Sequence, residues 1–188
     1  MRFNIYIILL IPKKNNLFLK ILLCFQKKSV IIYKDTKKGD FNKIIAIGCD
    51  HGGINLKEYS KNYLQDEKIE FRDFGTYTNE SCDYPDYAKK VCDAILSGEC
   101  EKGILICGTG IGISIAANKV RGIRAAHVTD TYSARMCVQH NNAHIVCLGE
   151  RITGLDLGLE IVKTYLSASF LGGRHQTRVD KVMKLEEY

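Results

Sequence analysis

Five short apolar runs recur between residues 43 and 148, separated by segments in which apolar positions return every three or four residues. Short apolar runs bounded by glycine or polar turns read as buried strands, and the longer period reads as helix. Residues 43–49 predict a first strand, with Asp50-His51-Gly52-Gly53 as the turn that follows it. A helix over 54–65 is expected next, with Leu56, Tyr59, Tyr63 and Leu64 on its apolar face. A second strand over 69–74 closes at Gly75, and Pro85 suits the first turn of a helix over 85–97 that stops at Gly98. The third strand, ending at Cys107, runs through three glycines at alternate positions into a helix over 113–120. A fourth strand over 122–127 leads to Asp130, expected to cap a helix over 131–139. His140-Asn141-Asn142 then connect to a fifth strand over 144–148. A helix over 155–167, a break at Gly172-Gly173 and a short helix from Gln176 complete the pattern.

Strands alternating with helices predict an α/β fold, a three-layer αβα sandwich with a five-stranded parallel sheet of Rossmann-like type. In such a fold a ligand sits at the carboxyl ends of the strands. Asp50, His51, Cys107 and the glycine loop fall at that edge. His140 and Asn141 precede their strand, and so fall at the opposite one.

The glycine loop carries the first chemical signal. A strand that turns through glycines into a helix start gathers backbone N–H groups at one spot, which suits an anion or the oxygen of a reacting carbonyl. The dinucleotide spacing Gly-x-Gly-x-x-Gly fails, because Gly108 and Gly110 are followed by Ile113 where the third glycine belongs. Cys107, at the lip of this cradle, is a candidate nucleophile or base, and a packed core thiol is the plainer reading. Asp50-His51 offer an acid–base pair beside it; alternatively Asp50 only caps a helix. Arg174 and Arg178, if helical, share one face and form a fork for phosphate; a solvated helix end is the alternative.

Composition narrows the field. The 188-residue chain has a formal charge of +6, yet residues 1–34 hold seven of its 27 basic side chains and no acidic one. The remainder carries 20 basic against 21 acidic groups, which gives no case for nucleic-acid binding. Two apolar runs near the start are each too short to cross a membrane. Residues 1–42 are therefore set aside as an N-terminal extension, disordered or organelle-targeting, and residues 43–188 form the domain. Eight cysteines occur without Cys-x-x-Cys pairs or zinc-ligand spacing, which favours free thiols in a reducing, cytoplasmic setting and no metal site.

Read together, the motifs resemble the ribose-5-phosphate isomerase B family, in the wider group that includes galactose-6-phosphate isomerase subunits. They are Gly48-Cys49-Asp50-His51-Gly52-Gly53, Asp83-Tyr84-Pro85, the run over 104–118, Gly122-Ile123-Arg124, Tyr132-Ser133-Ala134-Arg135, Gln139-His140-Asn141 and the run over 172–179. The resemblance implies metal-free and cofactor-free isomerisation of ribose 5-phosphate and ribulose 5-phosphate, a step of the pentose phosphate pathway. It makes Cys107 the base that moves a proton between C2 and C1. The N–H groups of Gly108, Thr109, Gly110, Ile111 and Gly112, with the Thr109 side chain, would hold the enediolate oxygen. It makes His140 the ring-opening acid and Asp50 its proton-shuttling partner. His51, Arg174 and Arg178 would bind phosphate, Asn141 and Arg151 would contact substrate, and Tyr84 would line the site. It also implies a homodimer, or a tetramer, with each site shared between subunits. Six-carbon sugar phosphates (allose or galactose 6-phosphate) remain as alternative substrates, and a nucleotide-binding or redox-thiol module as an alternative class.

Overall fold

The computed structural model describes residues 6–13, 17–24, 29–34 and 44–187. The chain divides into two units, Met1–Asn42 and Lys43–Tyr188. In the first, β1 (Tyr6–Lys13), β2 (Leu17–Cys24) and β3 (Ser29–Lys34) pair antiparallel in that order. The reading of this arm as disordered or targeting otherwise falls outside the described residues.

The second unit holds a five-stranded parallel sheet. Its strands are β4 (Ile45–Cys49), β5 (Phe71–Asp73), β6 (Lys102–Cys107), β7 (Ala125–His127) and β8 (Ile145–Gly149), in spatial order β5-β4-β6-β8-β7. The three central strands are buried almost throughout, whereas the edge strands are three residues long and partly exposed. That difference is why the central strands read as continuous apolar runs. The edge strands were expected to be longer, and only their paired residues form them.

Side chains alternate between the two faces of the sheet. Ile45, Ile47, Ile104, Ile106, Val146 and Leu148 face α1 (Ile54–Asp66), α4 (Thr131–Asn141) and α5 (Glu150–Ser167). Ala46, Leu105, Cys107, Ile145 and Cys147 face α2 (Tyr84–Leu96) and α3 (Ile111–Asn118). The final helix, α6 (Arg174–Lys184), packs against α4. Tyr165, fully buried on α5, donates its hydroxyl to the His144 carbonyl at 2.6 Å, so its polar tip is satisfied at the entry to β8.

Several boundaries differ from the sequence reading for local reasons. Asp130 does cap α4, accepting the Ser133 N–H at 2.7 Å, but the helix runs on through His140 and Asn141 to a left-handed Asn142 with φ 49°. The connection expected at 140–142 is thus the last helical turn and its cap. α5 begins at Glu150, before a non-helical Gly154, and α6 begins at Arg174, straight after Gly172 and Gly173, both with positive φ. On α1, Tyr59 is exposed and Lys57 and Ser60 are buried in its place.

Candidate active site

Parallel register brings three turns together at the carboxyl edge of the sheet. Cys49 pairs with Ile106, and Cys107 with Gly149, so residues 50–53, 108–110 and 149–151 are neighbours. They meet through glycine. A Cβ on Gly52 would stand 3.0 Å from the Gly108 nitrogen, and one on Gly149 would stand 2.4 Å from the Thr109 carbonyl carbon. Gly110, at φ +78°, starts α3 in a conformation that L side chains rarely adopt.

Cys107 ends β6 and accepts the Gly110 N–H on its sulfur at 3.1 Å. The expectation of an open lip needs correction, because the residue is only 4% exposed. Strand alternation turns it toward Ile113 and Ala117 under the first turn of α3. Burial pushes the Cys49 and Cys92 thiols each up to about 12, which removes those two as thiolates near neutral pH. Thr109 is exposed, and its Oγ1 accepts the Ile111 N–H at 3.4 Å.

Asp50 is buried, and its Oδ1 accepts the Gly52 N–H at 2.8 Å, which closes its own turn. It does not cap α1. That role belongs to Glu150, which takes the Leu56 N–H at 2.9 Å and the Asn55 amide at 2.8 Å. His51 Nδ1 accepts the Cys82 N–H at 3.2 Å, so a neutral ring carries its proton on Nε2, free to donate. Tyr84 opens α2 with its ring against Gly112, where a Cβ would come within 2.8 Å of Cζ. Arg151 donates its backbone N–H to the Gly108 carbonyl at 3.1 Å and lays its guanidinium over Gly108.

A second cluster forms at the opposite edge. His140 and Asn141 occupy the last turn of α4, whose 11 residues span roughly 16 Å from the carboxyl edge. Arg124 steadies that turn by donating to the carbonyls of Asn141 and Asn142 at 2.8–3.1 Å. Arg178, Asn141, Arg124 and Asn118 line a cleft of about 260 Å³ there. Arg174 and Arg178 lie four residues apart on α6, as the fork reading requires, and both are exposed.

The structure therefore brings Cys107, residues 108–112, Asp50, His51, Tyr84 and Arg151 together, and groups His140, Asn141, Arg174 and Arg178 apart from them. Two site neighbours escaped the sequence reading. Cys82 had no periodic signal at all. His175 had one: with Val179 it makes the buried i, i+4 stripe of α6, beside the stripe of the two arginines. Its ring stacks on His140, centroids 4.2 Å apart and planes 6° from parallel. Among the described residues, no three His, Cys, Asp or Glu side chains gather as a metal site would.

Comparison with known proteins places this geometry. The ribose/galactose isomerase family matches residues 45–182. Ribose-5-phosphate isomerase B of Escherichia coli (strain K12) is 47% identical over 145 residues, 77% of this chain and 97% of the relative. The solved ribose-5-phosphate isomerase B of Clostridium thermocellum is 58% identical with a TM-score of 0.75, covering 77% of this chain and 97% of that one. D-erythrulose-4-phosphate isomerase of Pectobacterium atrosepticum is 45% identical, over 73% of this chain and 91% of the relative. By sequence match and by fold alike, the chain belongs to the ribose/galactose isomerase family.

Proposed function

We propose that this chain is an aldose–ketose isomerase that interconverts ribose 5-phosphate and ribulose 5-phosphate. The observation that carries this reading is the Gly110 N–H aimed at the Cys107 sulfur inside a glycine loop. One loop then supplies both a base and the donors for a developing oxyanion.

The chemistry runs in two stages. In ring opening, His140 protonates the furanose oxygen while Asp50 receives the anomeric hydroxyl proton; the bond from C1 to the ring oxygen breaks and a C1 carbonyl forms. In isomerisation, Cys107 takes the C2 proton and returns it to C1, and the hydroxyl proton passes from O2 to O1. The enediolate between these steps carries its charge on oxygen, against the 108–112 N–H groups and Thr109. Phosphate is held by His51 Nε2–H with Arg174 and Arg178, and Asn141, Arg151 and Tyr84 orient the sugar.

This assignment needs two subunits. A five-carbon sugar phosphate is shorter than the roughly 16 Å of α4 that parts His140 from the carboxyl edge of its own sheet. A homodimer in which α4 and α6 of one protomer face the glycine loop of its partner completes each site, and dimers can pair further into tetramers. The catalytic unit is residues 43–188, and the seven free cysteines among the described residues favour the reducing cytoplasm.

Cys107→Ser and Cys107→Ala test the base, assayed for conversion of ribose 5-phosphate to ribulose 5-phosphate. Loss of the base lowers kcat by about 10²–10⁴-fold. Undiminished turnover in both variants would remove Cys107 from the mechanism. The erythrulose phosphate relative gives a second reading, another sugar phosphate as the preferred substrate. Comparing kcat/KM on ribose 5-phosphate, D-erythrulose 4-phosphate and allose 6-phosphate decides between them.

A further inference from the structure

His175 is buried to 8% exposure in a helix whose neighbouring positions, Arg174 and Arg178, are exposed. Its backbone N–H donates to the Gly172 carbonyl at 3.0 Å, and the preceding loop is tied to α4 by the Leu171 N–H on the Gln139 carbonyl at 3.1 Å. The two imidazoles are thus held face to face by backbone contacts on both sides. Parallel rings at 4.2 Å leave His140 no freedom to rotate out of plane without losing the stack.

The charges around this stack are of one sign. Burial first, and then the charges of His140 from α4 and of Arg174 and Arg178 from α6, hold the His175 ring below the ordinary histidine range. Two stacked rings cannot both be cationic beside two guanidiniums. A phosphate dianion on the arginine fork changes that balance, because its negative charge offsets the positive charge that Arg174 and Arg178 place beside the stacked rings.

We propose that His175 is a positioning residue for His140, and that the stack, with Arg174 and Arg178, makes protonation of the ring-opening acid depend on phosphate at the arginine fork. The proposal rests on the isomerase reading for the role of His140, while the coupling itself is a property of four side chains in this chain. Its consequence is that the acid charges when the substrate's phosphate arrives, rather than standing protonated in the empty site.

Two measurements on the full chain test it. Histidine-labelled protein is titrated by NMR with and without inorganic phosphate, the stack resonances being assigned with His140→Asn and His175→Asn. Phosphate raises the titration midpoint of the stack in the wild type and leaves it unmoved in Arg174→Gln/Arg178→Gln. A midpoint that phosphate does not move in the wild type overturns the coupling. In kinetics, His175→Asn lowers kcat by about tenfold or more and shifts the pH–rate profile, while KM changes by less than about threefold. His175→Phe keeps a flat ring to stack and recovers part of kcat, but loses the phosphate-dependent midpoint. Unchanged kcat and pH profile in both variants overturns the positioning role. Wild-type protein that does not turn over ribose 5-phosphate would defeat the isomerase reading instead, and the NMR titration would still decide the coupling.

Discussion

Lys57 Nζ, on a side chain with no solvent exposure, donates to both carboxylate oxygens of Asp73 at 3.1 Å and to the Thr76 carbonyl at 2.8 Å. The lysine sits on α1 and its partners on β5 and the loop beyond it, so this one cation ties helix, sheet edge and loop together. A buried cation is retained only where its desolvation is offset by paired hydrogen bonds, and Lys57 has them. The same loop continues to Cys82, whose N–H meets His51. Lys57→Met removes the pairing and leaves Asp73 with Lys61 at 2.8 Å and the Gly75 N–H at 3.0 Å. The expected cost is about 3 kcal/mol, with a raised KM because the His51 partner loses its anchor. Denaturant unfolding measures the first and steady-state kinetics the second; an unchanged midpoint would show that the pair contributes nothing net.

Glu150 links two of the three turns at the site. Its carboxylate caps α1, whose first turn holds no acidic side chain and whose N-cap, Gly53, has no side chain to offer. The next residue is Arg151, over Gly108. Glu150→Ala leaves the Leu56 N–H without this acceptor and removes a negative charge from the helix N-terminus. A loss of about 1–2 kcal/mol is expected, with Glu150→Gln recovering part of it. If Glu150→Ala unfolds at the wild-type urea midpoint, the cap is not a stabilising one.

These two contacts mark where the sequence stopped being legible. The sheet was readable because β4, β6 and β8 are buried on both faces, so nearly every position is apolar. The glycine loop was readable because a turn pressed between two others excludes Cβ atoms at Gly52, Gly110 and Gly149. The phase of α1 misled, since Lys57 reads as solvent-facing until Asp73, 16 residues on, supplies its partner. Likewise Asp50 looks like a cap until Glu150, 94 residues beyond Leu56, proves to hold the helix. His175 was hidden between two arginines whose charge dominates that stretch. Pairings across long sequence separations leave no local periodicity, and Lys57 with Asp73 and Glu150 with Leu56 are both of that kind.

His144 gives a pH prediction with a definite sign. Arg124 faces its ring from the backbone N–H at 3.2 Å and from the guanidinium at 2.9 Å, and burial together with that charge lowers the His144 pKa to about 4. The unfolded chain binds this proton near pH 6.5, the folded one only near pH 4, so protonation favours unfolding. Stability from this residue is intact above pH 6.5 and falls progressively to pH 4, by about 3 kcal/mol in total. Guanidinium chloride unfolding at pH 7.5, 6.0 and 5.0 should show this loss, and His144→Asn should flatten it. A slope unchanged by His144→Asn would assign the acid sensitivity to other groups.

The separation of Cys107 from His140 within one protomer predicts complementation between inactive variants. In the proposed dimer, one site draws Cys107 from one protomer and His140 from its partner. Cys107→Ser and His140→Asn homodimers are each inactive, because every site lacks one group. A mixed dimer places both defects in one site and leaves the other with an intact Cys107 and an intact His140. Random pairing at equal concentrations makes half the dimers mixed, each with one working site of two, so mixing and refolding restores about a quarter of wild-type activity. Sites built within single protomers would restore none, since no mixed dimer would then contain a complete site. The recovered activity should also fall on dilution to the concentration at which the dimer dissociates, which sedimentation measures independently of turnover.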